Sequence, residues 1–389
     1  MSCFPGPLVI VGAGLAGYTL AREFRKRAPD QAIVVVCADS GCQYSKPALS
    51  TAMAHGQQAD DLVTATAADM ADRLKIVVRN NTRVDAIDAS AHALCIGNER
   101  FQYGKLVLAT GAEPRLPALE GNATTQLLSV NHLQDYRRLR QQLDHHVNPR
   151  PRLVIAGGGL VGCELANDFA QAGVDVDLVV AGEQLLSGAL PAPIAQRLQE
   201  RLEHAGVACH LNRQVQGLHR HPQGLLVGLD NRQHLPAQCL VAATGLEPET
   251  RLARSASLTL GQRGITVDRY LQTSDPDIYA LGDCAEVDGH SLMYVKPLMA
   301  CAKALAQTLS GEPVMVRYEA MPVTLKTPAM PLRMALPARS APGQWRIAEN
   351  SQGFRAEYRN TEGRLLGYAL TDGRVAEQSE LDSQLPDFF

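Results

Sequence analysis

Short apolar runs and helix-spaced apolar positions follow one another along the chain in a unit that occurs twice. The first copy runs from an apolar stretch at 8–11, through a glycine turn and apolar positions spaced three to four residues apart, to a second stretch at 32–36. The second copy has its apolar stretch at 153–156 and its following strand at 174–180, where two aspartates alternate with apolar residues. Uninterrupted short apolar runs are typical of buried parallel strands. The pattern therefore predicts two strand–helix–strand units.

Three further apolar runs end in small or acidic residues, and the tail has a different pattern. The runs at 106–109 and 240–243 each lead into Thr-Gly, and the run at 278–281 leads into Gly282-Asp283. From residue 316, apolar and polar residues alternate between prolines, which favours short antiparallel strands. We therefore expect an α/β protein with two Rossmann-like dinucleotide-binding domains and a small α+β C-terminal domain.

The turn of each unit carries a Gly-x-Gly-x-x-Gly motif. The motif glycines are, in chain order, Gly12, Gly14, Gly17, Gly157, Gly159 and Gly162. Such glycines let the turn tighten, let the backbone approach a pyrophosphate and let the helix pack on the strand. The start of the following helix presents unpaired N–H groups and a positive dipole to that pyrophosphate. Two such sites indicate two dinucleotides, which a protein that brings a nicotinamide next to a flavin requires.

Composition limits the classes of function. The chain has 389 residues, 37 basic and 40 acidic side chains and a formal net charge of −3, so it offers no strong basic field for nucleic acid. Hydrophobic residues make up 46%, enough for large cores. No apolar run reaches the roughly 18 residues of a membrane span, and the first residues lack the basic region of a signal peptide. We expect a cytoplasmic protein without membrane insertion.

The order of these motifs resembles the pyridine nucleotide–flavin oxidoreductases of the glutathione-reductase-like fold, over nearly the whole chain. Within that family, longer stretches are similar to the rubredoxin reductases. They are residues 44–51, 159–168, 273–287, 294–309 and 321–329. The resemblance implies one FAD, NADH as the donor and rubredoxin as the acceptor, which often feeds an alkane hydroxylase. A reductase of a ferredoxin, or of flavorubredoxin in nitric oxide detoxification, stays open, as do a disulfide reductase and a flavin-binding protein without enzymatic activity.

The resemblance also implies a domain order. Residues 1–113 and 246–315 would form a discontinuous FAD-binding domain, and residues 114–245 would form an NAD(H)-binding domain. Residues 316–389 would form a C-terminal domain that packs on the flavin and the acceptor. This tail is short and has no histidine after His290, unlike the dimer domain of the family's disulfide members, so we expect a monomer.

Two residues carry catalytic roles by resemblance. Glu164 would lie near the flavin and the nicotinamide, and Lys326 would reach the flavin from the C-terminal domain. Further cofactor-binding positions follow from the resemblance: Gly111 and Gly245 would end two strands at the site, and Asp283 would bind the ribityl chain. Lys46 would meet the flavin edge or the FAD phosphates, and Val84 would lie on the adenine side. Ala38 and Asp39 would occupy the ribose slot, and Val295, at a helix start, would face the flavin pyrimidine.

Two positions depart from the fingerprint, which places an acid at the end of the second strand to hold the ribose. The first copy has Ala38 there with Asp39 beside it, and the second has residues 180–181 with Glu183 and no arginine nearby in the sequence. A 2′-phosphate needs a basic partner, so we predict NADH over NADPH. Lys296, which follows Val295, has no assigned role.

Nine cysteines are spread through the chain, and no pair has Cys-x-x-Cys spacing. We therefore expect neither a zinc ribbon nor any other metal site. Cys37 and Cys42 have a Cys-x-x-x-x-Cys spacing, but they follow the second apolar run, at the adenosine end of the first site. The redox pair of the family's disulfide members lies on a later helix. We interpret the flavin as passing electrons directly to its acceptor.

Overall fold

The computed structural model describes residues 3–144, 150–338 and 341–388. Its strands in chain order are β1 (Leu8–Val11), β2 (Ile33–Val36), β3 (Gln43–Tyr44), β4 (Val63–Ala65), β5 (Val77–Arg79), β6 (Ala86–Asp88), β7 (Ala93–Ile96), β8 (Glu99–Gln102), β9 (Lys105–Leu108), β10 (Ala112–Pro114), β11 (Leu127–Ser129), β12 (Arg152–Ala156), β13 (Asp175–Val180), β14 (Val207–Leu211), β15 (Val215–His221), β16 (Gly224–Leu229), β17 (His234–Ala237), β18 (Cys239–Ala242), β19 (Leu246–Pro248), β20 (Ile265–Val267), β21 (Ile278–Ala280), β22 (Ala285–Val287), β23 (Val323–Leu325), β24 (Leu332–Ala335), β25 (Gln344–Asn350), β26 (Gly353–Arg359) and β27 (Leu365–Thr371). Its helices are α1 (Leu15–Arg27), α2 (Ala67–Leu74), α3 (Leu133–Asp144), α4 (Leu160–Gln171), α5 (Ala192–His204), α6 (Arg251–Ser255), α7 (Val295–Leu309) and α8 (Gln378–Asp382). Shorter 3-10 helices lie at Lys46–Ser50, Asp60–Leu62, Thr124–Gln126, Gly282–Cys284 and Asp372–Glu377. In the part of the chain that the structure describes, none of the helices has both the length and the apolar character that a membrane crossing requires.

Two five-stranded parallel sheets share one plan. The strand order is β21-β9-β1-β2-β5 in the first sheet and β11-β18-β12-β13-β14 in the second. The central strands β1 and β12 each lead through a glycine turn into a long helix, α1 or α4. Both central strands are buried along their apolar length, as expected for a sheet covered on both faces. The predicted α/β class with two Rossmann-like units is confirmed.

The two parallel sheets differ in the origin of one edge strand, which is β21 beside β9 in the first sheet and β11 beside β18 in the second. In the second sheet β11 precedes the unit that it completes, whereas in the first sheet β21 follows the entire second sheet in the chain. The first sheet is therefore built from two chain segments with the second inserted between them. The antiparallel pair β10–β19, in which Glu113 lies opposite Glu247, joins the two connecting segments.

The tail forms a third five-stranded sheet, antiparallel throughout, in the order β23-β24-β27-β26-β25. One face carries Leu332 and Phe354, which share a hydrophobic cluster with Phe169 of α4. The other face is covered by α8, where Leu381 packs in a separate small cluster with Tyr368. The C-terminal sheet and the second parallel sheet therefore share one hydrophobic core.

Candidate active site

The first glycine of each motif packs against the neighbouring strand in the same way. Gly12 and Gly157 have positive φ angles of 119° and 122°. A Cβ atom would lie 2.1 Å from the carbonyl oxygen of Ala109 in the first case and 2.3 Å from that of Ala243 in the second. Both the backbone conformation and the lack of space therefore require glycine.

The other motif glycines divide into a packing position and an open position. A Cβ atom on the third glycine, Gly17 or Gly162, would come within 2.0 or 1.8 Å of the carbonyl oxygen of the first. A Cβ atom on the middle glycine, Gly14 or Gly159, would meet nothing within 4 Å. Each turn is closed toward the protein and open at the start of the helix, which is the side from which a pyrophosphate approaches.

Three helix starts are open to their surroundings. No side chain caps the N-terminus of α1, α4 or α7. Large apolar side chains within the first two positions of these helices are exposed: Leu15 by 37%, Val161 by 47% and Val295 by 45%. Unpaired N–H groups beside exposed apolar side chains suit a ligand that combines phosphates with flat rings.

Lys46 and Asp283 bring opposite charges to the first site. Asp283 lies in the 3-10 helix that follows β21, and Lys46 begins the 3-10 helix Lys46–Ser50. Burial raises the pKa of Asp283 and Lys46 opposes that rise; burial lowers the pKa of Lys46 and Asp283 opposes that fall. Lys46 Nζ also donates to Oδ1 of Asn131 at 3.3 Å. One carboxylate and one ammonium group therefore influence each other at the end of β21.

We expect Asp283→Asn to stabilise the FAD-free protein and to weaken its binding of FAD. Because the pKa of Asp283 is raised, the folded chain prefers the neutral carboxyl, and ionised Asp283 lowers stability increasingly as the pH rises through the raised pKa. Asparagine removes that cost but is a weaker hydrogen-bond acceptor for a ribityl hydroxyl.

Thermal unfolding of the FAD-free proteins tests the first part. The variant is expected to gain more over the wild type at about pH 8 than at about pH 4, where an unfolded aspartate is about half protonated. Asp288→Asn, which changes an exposed acid nearby, serves as the control. An FAD-free Asp283→Asn protein less stable than the wild type at the higher pH would contradict this account.

Glu164 and Lys326, which are 162 positions apart in the sequence, meet in the structure. Oε1 of Glu164 accepts the backbone N–H of Lys326 at 3.0 Å, and Oε2 lies 3.0 Å from Lys326 Nζ. The hydroxyl of Ser50 donates to Oε2 at 2.5 Å and accepts from Lys326 Nζ at 3.0 Å. Glu164 is only 6% exposed. Since both of its oxygens are bound, the carboxylate has a fixed orientation.

No local pattern in the sequence indicates a role for Ser50. Its signal was weak, because it is only the last residue of the Tyr-x-Lys-Pro-x-Leu-Ser stretch at 44–50. Lys326 Nζ also donates to the carbonyl oxygen of Pro47, in the same 3-10 helix. The 3-10 helix, α4 and the residue after β23 therefore converge on one carboxylate.

We expect Ser50→Ala to slow the reduction of bound flavin by NADH without loss of FAD. The variant removes one hydrogen bond to the Glu164 carboxylate and leaves those from Lys326, so the looser orientation is expected to lower the rate roughly two- to tenfold. Anaerobic stopped-flow absorbance measures the rate. In the control, Thr51→Ala, the lost hydroxyl donates to the carbonyl oxygen of Ala48 at 3.3 Å. Equal rates in the two variants would contradict the prediction.

The residues that the resemblance assigns to the adenosine side lie around the end of β2. Ala38 and Asp39 are exposed, and Oδ1 of Asp39 accepts the backbone N–H of Gly41 at 2.9 Å. Val84 is buried, and its carbonyl oxygen accepts from Nη2 of Arg251 at 2.9 Å. The structure thus adds Arg251, in α6, to this region, where no local sequence signal had indicated it.

The strand-end glycines lie at the crossing between the two halves. Gly111 and Gly245 have positive φ angles of 74° and 106°, and a Cβ atom on either would meet nothing within 4 Å. The carbonyl oxygen of Gly245 accepts the N–H of Arg115 at 2.9 Å, and that of Gly111 accepts the N–H of Glu249 at 3.0 Å. The strand end at Gly111 is therefore hydrogen-bonded to the segment after Gly245, and the strand end at Gly245 is hydrogen-bonded to the segment after Gly111.

An arginine lies in space beside the end of β13, where the sequence has none nearby. Arg213 follows β14, which pairs with β13 in parallel. Its backbone N–H donates to the carbonyl oxygen of Val180 at 3.0 Å. Parallel neighbours end side by side, so the backbone of a residue distant in sequence lies beside the end of β13.

Lys296, which had no assigned role, ties the start of α7 to the segment before β23. Its Nζ atom donates to the carbonyl oxygen of Ala320 at 2.8 Å and pairs with the carboxylate of Glu319 at 3.0 Å. Both ionic side chains are more than half exposed, so the ion pair itself adds little stability.

All nine cysteines lie in the described residues, and each is a free thiol. Burial raises the pKa of Cys37 to about 12. A thiol with so high a pKa forms little of the reactive thiolate at neutral pH. Cys37 is therefore a poor nucleophile at neutral pH.

Comparison with known proteins places the chain among flavoprotein reductases. Residues 6–315 match the family described as pyridine nucleotide-disulphide oxidoreductase, and residues 315–385 match the family described as rubredoxin binding C-terminal domain. The chain is 42% identical to Rubredoxin-NAD(+) reductase of Alcanivorax borkumensis over 98% of each protein. It is 39% identical to Nitric oxide reductase FlRd-NAD(+) reductase of Citrobacter koseri over 97% of this chain and 99% of that protein. It superimposes on putidaredoxin reductase, solved in covalent complex with putidaredoxin, with a TM-score of 0.87 and 26% identity over 98% of this chain and 94% of that one. The chain belongs to the pyridine nucleotide-disulphide oxidoreductase family.

Proposed function

We propose that this chain is an FAD-dependent reductase that passes electrons from NADH to rubredoxin. The observation that carries the proposal is the contact between Glu164 and Lys326. Lys326 belongs to the part that matches the rubredoxin binding domain, and Glu164 lies on the helix that follows the second glycine turn. The helix that we assign to the NADH site and the domain that we assign to the rubredoxin site thus meet at the Glu164 carboxylate.

We assign residues 1–113 and 246–315 to FAD, residues 114–245 to NAD(H), and residues 316–389 to the flavin and the acceptor. Sheet membership supports this division. All strands of the first parallel sheet come from the first two ranges, and all strands of the second come from residues 114–245. The third sheet comes entirely from the tail.

The residues present suit FAD at the first site. The turn at Gly12–Gly14–Gly17 is open at the start of α1, where the N–H groups would hold the pyrophosphate. We assign the remaining FAD contacts to the ribityl-side carboxylate, the flavin-edge ammonium, the backbone N–H at the start of α7, the strand-end glycines and the adenosine-side residues. They are Asp283, Lys46, Val295, Gly111, Gly245, Val84, Ala38 and Asp39.

NADH fits the second site by the same geometry. The turn at Gly157–Gly159–Gly162 repeats the clearances of the first, and the start of α4 has no side-chain cap. Glu164 lies in the second turn of that helix, which begins at Leu160. We propose that its fixed carboxylate orders the nicotinamide end of the donor.

The chain contributes positioning and electrostatics to the reaction. FAD, when bound, supplies a ring system that accepts a hydride and releases electrons singly. Glu164 holds its orientation through Ser50 and Lys326, and Lys326 balances its charge. Val295 presents a backbone N–H at a helix start, where the dipole stabilises negative charge.

Nine free cysteines suit a reducing compartment, which supports our proposal that the protein works in the cytoplasm.

We further propose that the reduced rubredoxin supplies an alkane hydroxylase. The relatives named for nitric oxide reductase favour a second candidate, a reductase of flavorubredoxin in nitric oxide detoxification.

Anaerobic mixing of the purified, FAD-loaded protein with NADH and an oxidised acceptor tests the function. Rubredoxin is expected to bleach much faster than with free FAD at equal concentration. Parallel reactions with a ferredoxin and with flavorubredoxin rank the acceptors by kcat/KM. Rubredoxin reduction no faster than with free FAD would refute the main proposal, and bound FAD that NADH does not reduce would indicate a non-enzymatic flavoprotein.

A further inference from the structure

The ammonium group of Lys46 has one directed contact. Its Nζ atom donates to Oδ1 of Asn131 at 3.3 Å, and within the described ranges of the chain Lys46 forms no ion pair. The side chain is half-buried, and the charges of Asp283 and Glu113 oppose the fall in its pKa that burial causes. Because an ammonium group has three N–H donors, two are left for another partner.

The side chain of Asn131 is held in one orientation. Asn131 is only 7% exposed, and its Nδ2 atom donates to the carbonyl oxygen of Ala112 at 2.8 Å and lies 3.0 Å from Nε2 of His132. Since a carbonyl oxygen can only accept, the amide oxygen of Asn131 must face Lys46. The backbone N–H groups of Asn131 and His132 both donate to Oδ2 of Asp135, at 3.2 and 2.9 Å. Backbone and side chain of Asn131 are therefore both fixed just before α3.

The contact between Asn131 and Lys46 joins two parts of the chain. The two residues are 85 positions apart, in the ranges that we assign to NAD(H) and to FAD. A second bond links the same segments, because the N–H of Leu133 donates to Oη of Tyr44 at 3.2 Å. The start of α3 therefore holds the segment that carries Lys46 at two points.

We propose that Asn131 is a positioning residue for FAD, which holds Lys46 so that the two remaining N–H donors of its ammonium group meet the bound dinucleotide. This inference rests on the proposed binding of FAD at the first glycine turn. Without this acceptor, FAD itself has to order the lysine side chain, which costs affinity. Because Asn131 comes from the range that we assign to NAD(H), the FAD site is complete only when the two domains are packed together.

A double-mutant cycle on FAD affinity tests the proposal without catalysis. The full-length protein, freed of FAD, is titrated with FAD, and quenching of the flavin fluorescence gives the Kd. Asn131→Ala is expected to weaken FAD binding roughly three- to tenfold, because Lys46 loses the acceptor that orders it. In a Lys46→Met background the same substitution is expected to change FAD binding less than about twofold, because no ammonium group is left to position. Asn122→Ala, which removes an exposed amide that accepts the N–H of Arg220 at 2.8 Å, is the matched control and is expected to leave the Kd unchanged.

Thermal unfolding of the FAD-free proteins separates positioning from support of the fold. Asn131→Ala also removes the bond to the carbonyl oxygen of Ala112, so the thermal midpoint is expected to fall by a similar amount with and without Lys46. If FAD binding also weakens equally in the two backgrounds, Asn131 acts only through the fold and the positioning role is wrong. Should the alanine variant not fold, Asn131→Ser, which keeps a hydroxyl group at this position, is used in the same cycle.

Two further outcomes separate this inference from the proposed function. Unchanged FAD binding in Asn131→Ala overturns the role of Asn131, while a wild-type protein that binds FAD and oxidises NADH still supports the reductase. A wild-type protein that binds no FAD overturns both.

Discussion

Gly162→Ala is expected to give a yellow protein whose flavin NADH reduces poorly. The added Cβ atom would lie 1.8 Å from the carbonyl oxygen of Gly157, so the second glycine turn must move away from the start of α4. Overpacking of this kind costs roughly 1–3 kcal/mol. If the whole cost opposes the conformation that binds NADH, binding weakens by about 5- to 150-fold. FAD stays bound because the first turn belongs to a different sheet.

Gly17→Ala provides the reciprocal variant. Its Cβ atom would lie 2.0 Å from the carbonyl oxygen of Gly12, and we expect the purified protein to lack the yellow colour. For Gly162→Ala, the absorbance of the flavin measures FAD content, NADH titration measures donor binding, and dithionite shows that the flavin is still reducible. Loss of FAD from Gly162→Ala and its retention in Gly17→Ala would reverse the assignment of the two sites.

Glu164→Gln is expected to slow the reduction of bound flavin by NADH roughly 10- to 100-fold, because a misplaced reactant loses rate steeply. The amide keeps the size of the side chain, but one of its two polar atoms is a donor. It therefore cannot accept both the Lys326 N–H and the bonds from Ser50 and Lys326 Nζ. The side chain of Lys326 is 35% exposed, so water solvates its charge and we expect the fold to survive.

Asp168→Asn is the matched control for Glu164→Gln. Asp168 lies one turn further along α4, is buried, and accepts the N–H groups of Met53 and Ala54 at 2.9 and 3.0 Å. This variant is expected to lower the thermal midpoint with a near-normal rate of flavin reduction. If both variants lose rate equally, the effect comes from the packing of α4, and the positioning role of Glu164 is wrong.

The parts of the fold that sequence reasoning predicted are those with a local cause. A glycine that must adopt positive φ, such as Gly12 or Gly157, leaves a fixed spacing in the sequence. Buried strands such as β1 and β12 leave apolar runs, so spacing and periodicity alone predict the two Rossmann-like units and the tail strands. The open middle glycines, Gly14 and Gly159, follow from the same spacing.

The contacts that sequence reasoning missed are those that topology creates. Ser50 reaches Glu164 only because the 3-10 helix Lys46–Ser50 packs on α4, and Arg213 reaches Val180 only because β14 lies beside β13. No spacing along the chain encodes either approach. The role of Lys326 came from resemblance alone, and its contact with Glu164 across 162 positions depends on how the tail sheet packs.

The late position of β21 has a consequence for biosynthesis. The ribosome delivers all five strands of the second sheet, from β11 to β18, before it reaches β21. The second domain can therefore close during translation, while the first still has β9 without its outer neighbour. Since domains generally fold as units during synthesis, we expect the domain that we assign to NAD(H) to mature first, although the domain that we assign to FAD begins the chain. Asp283 lies directly after β21, so capture of the flavin would be one of the last events in making this protein.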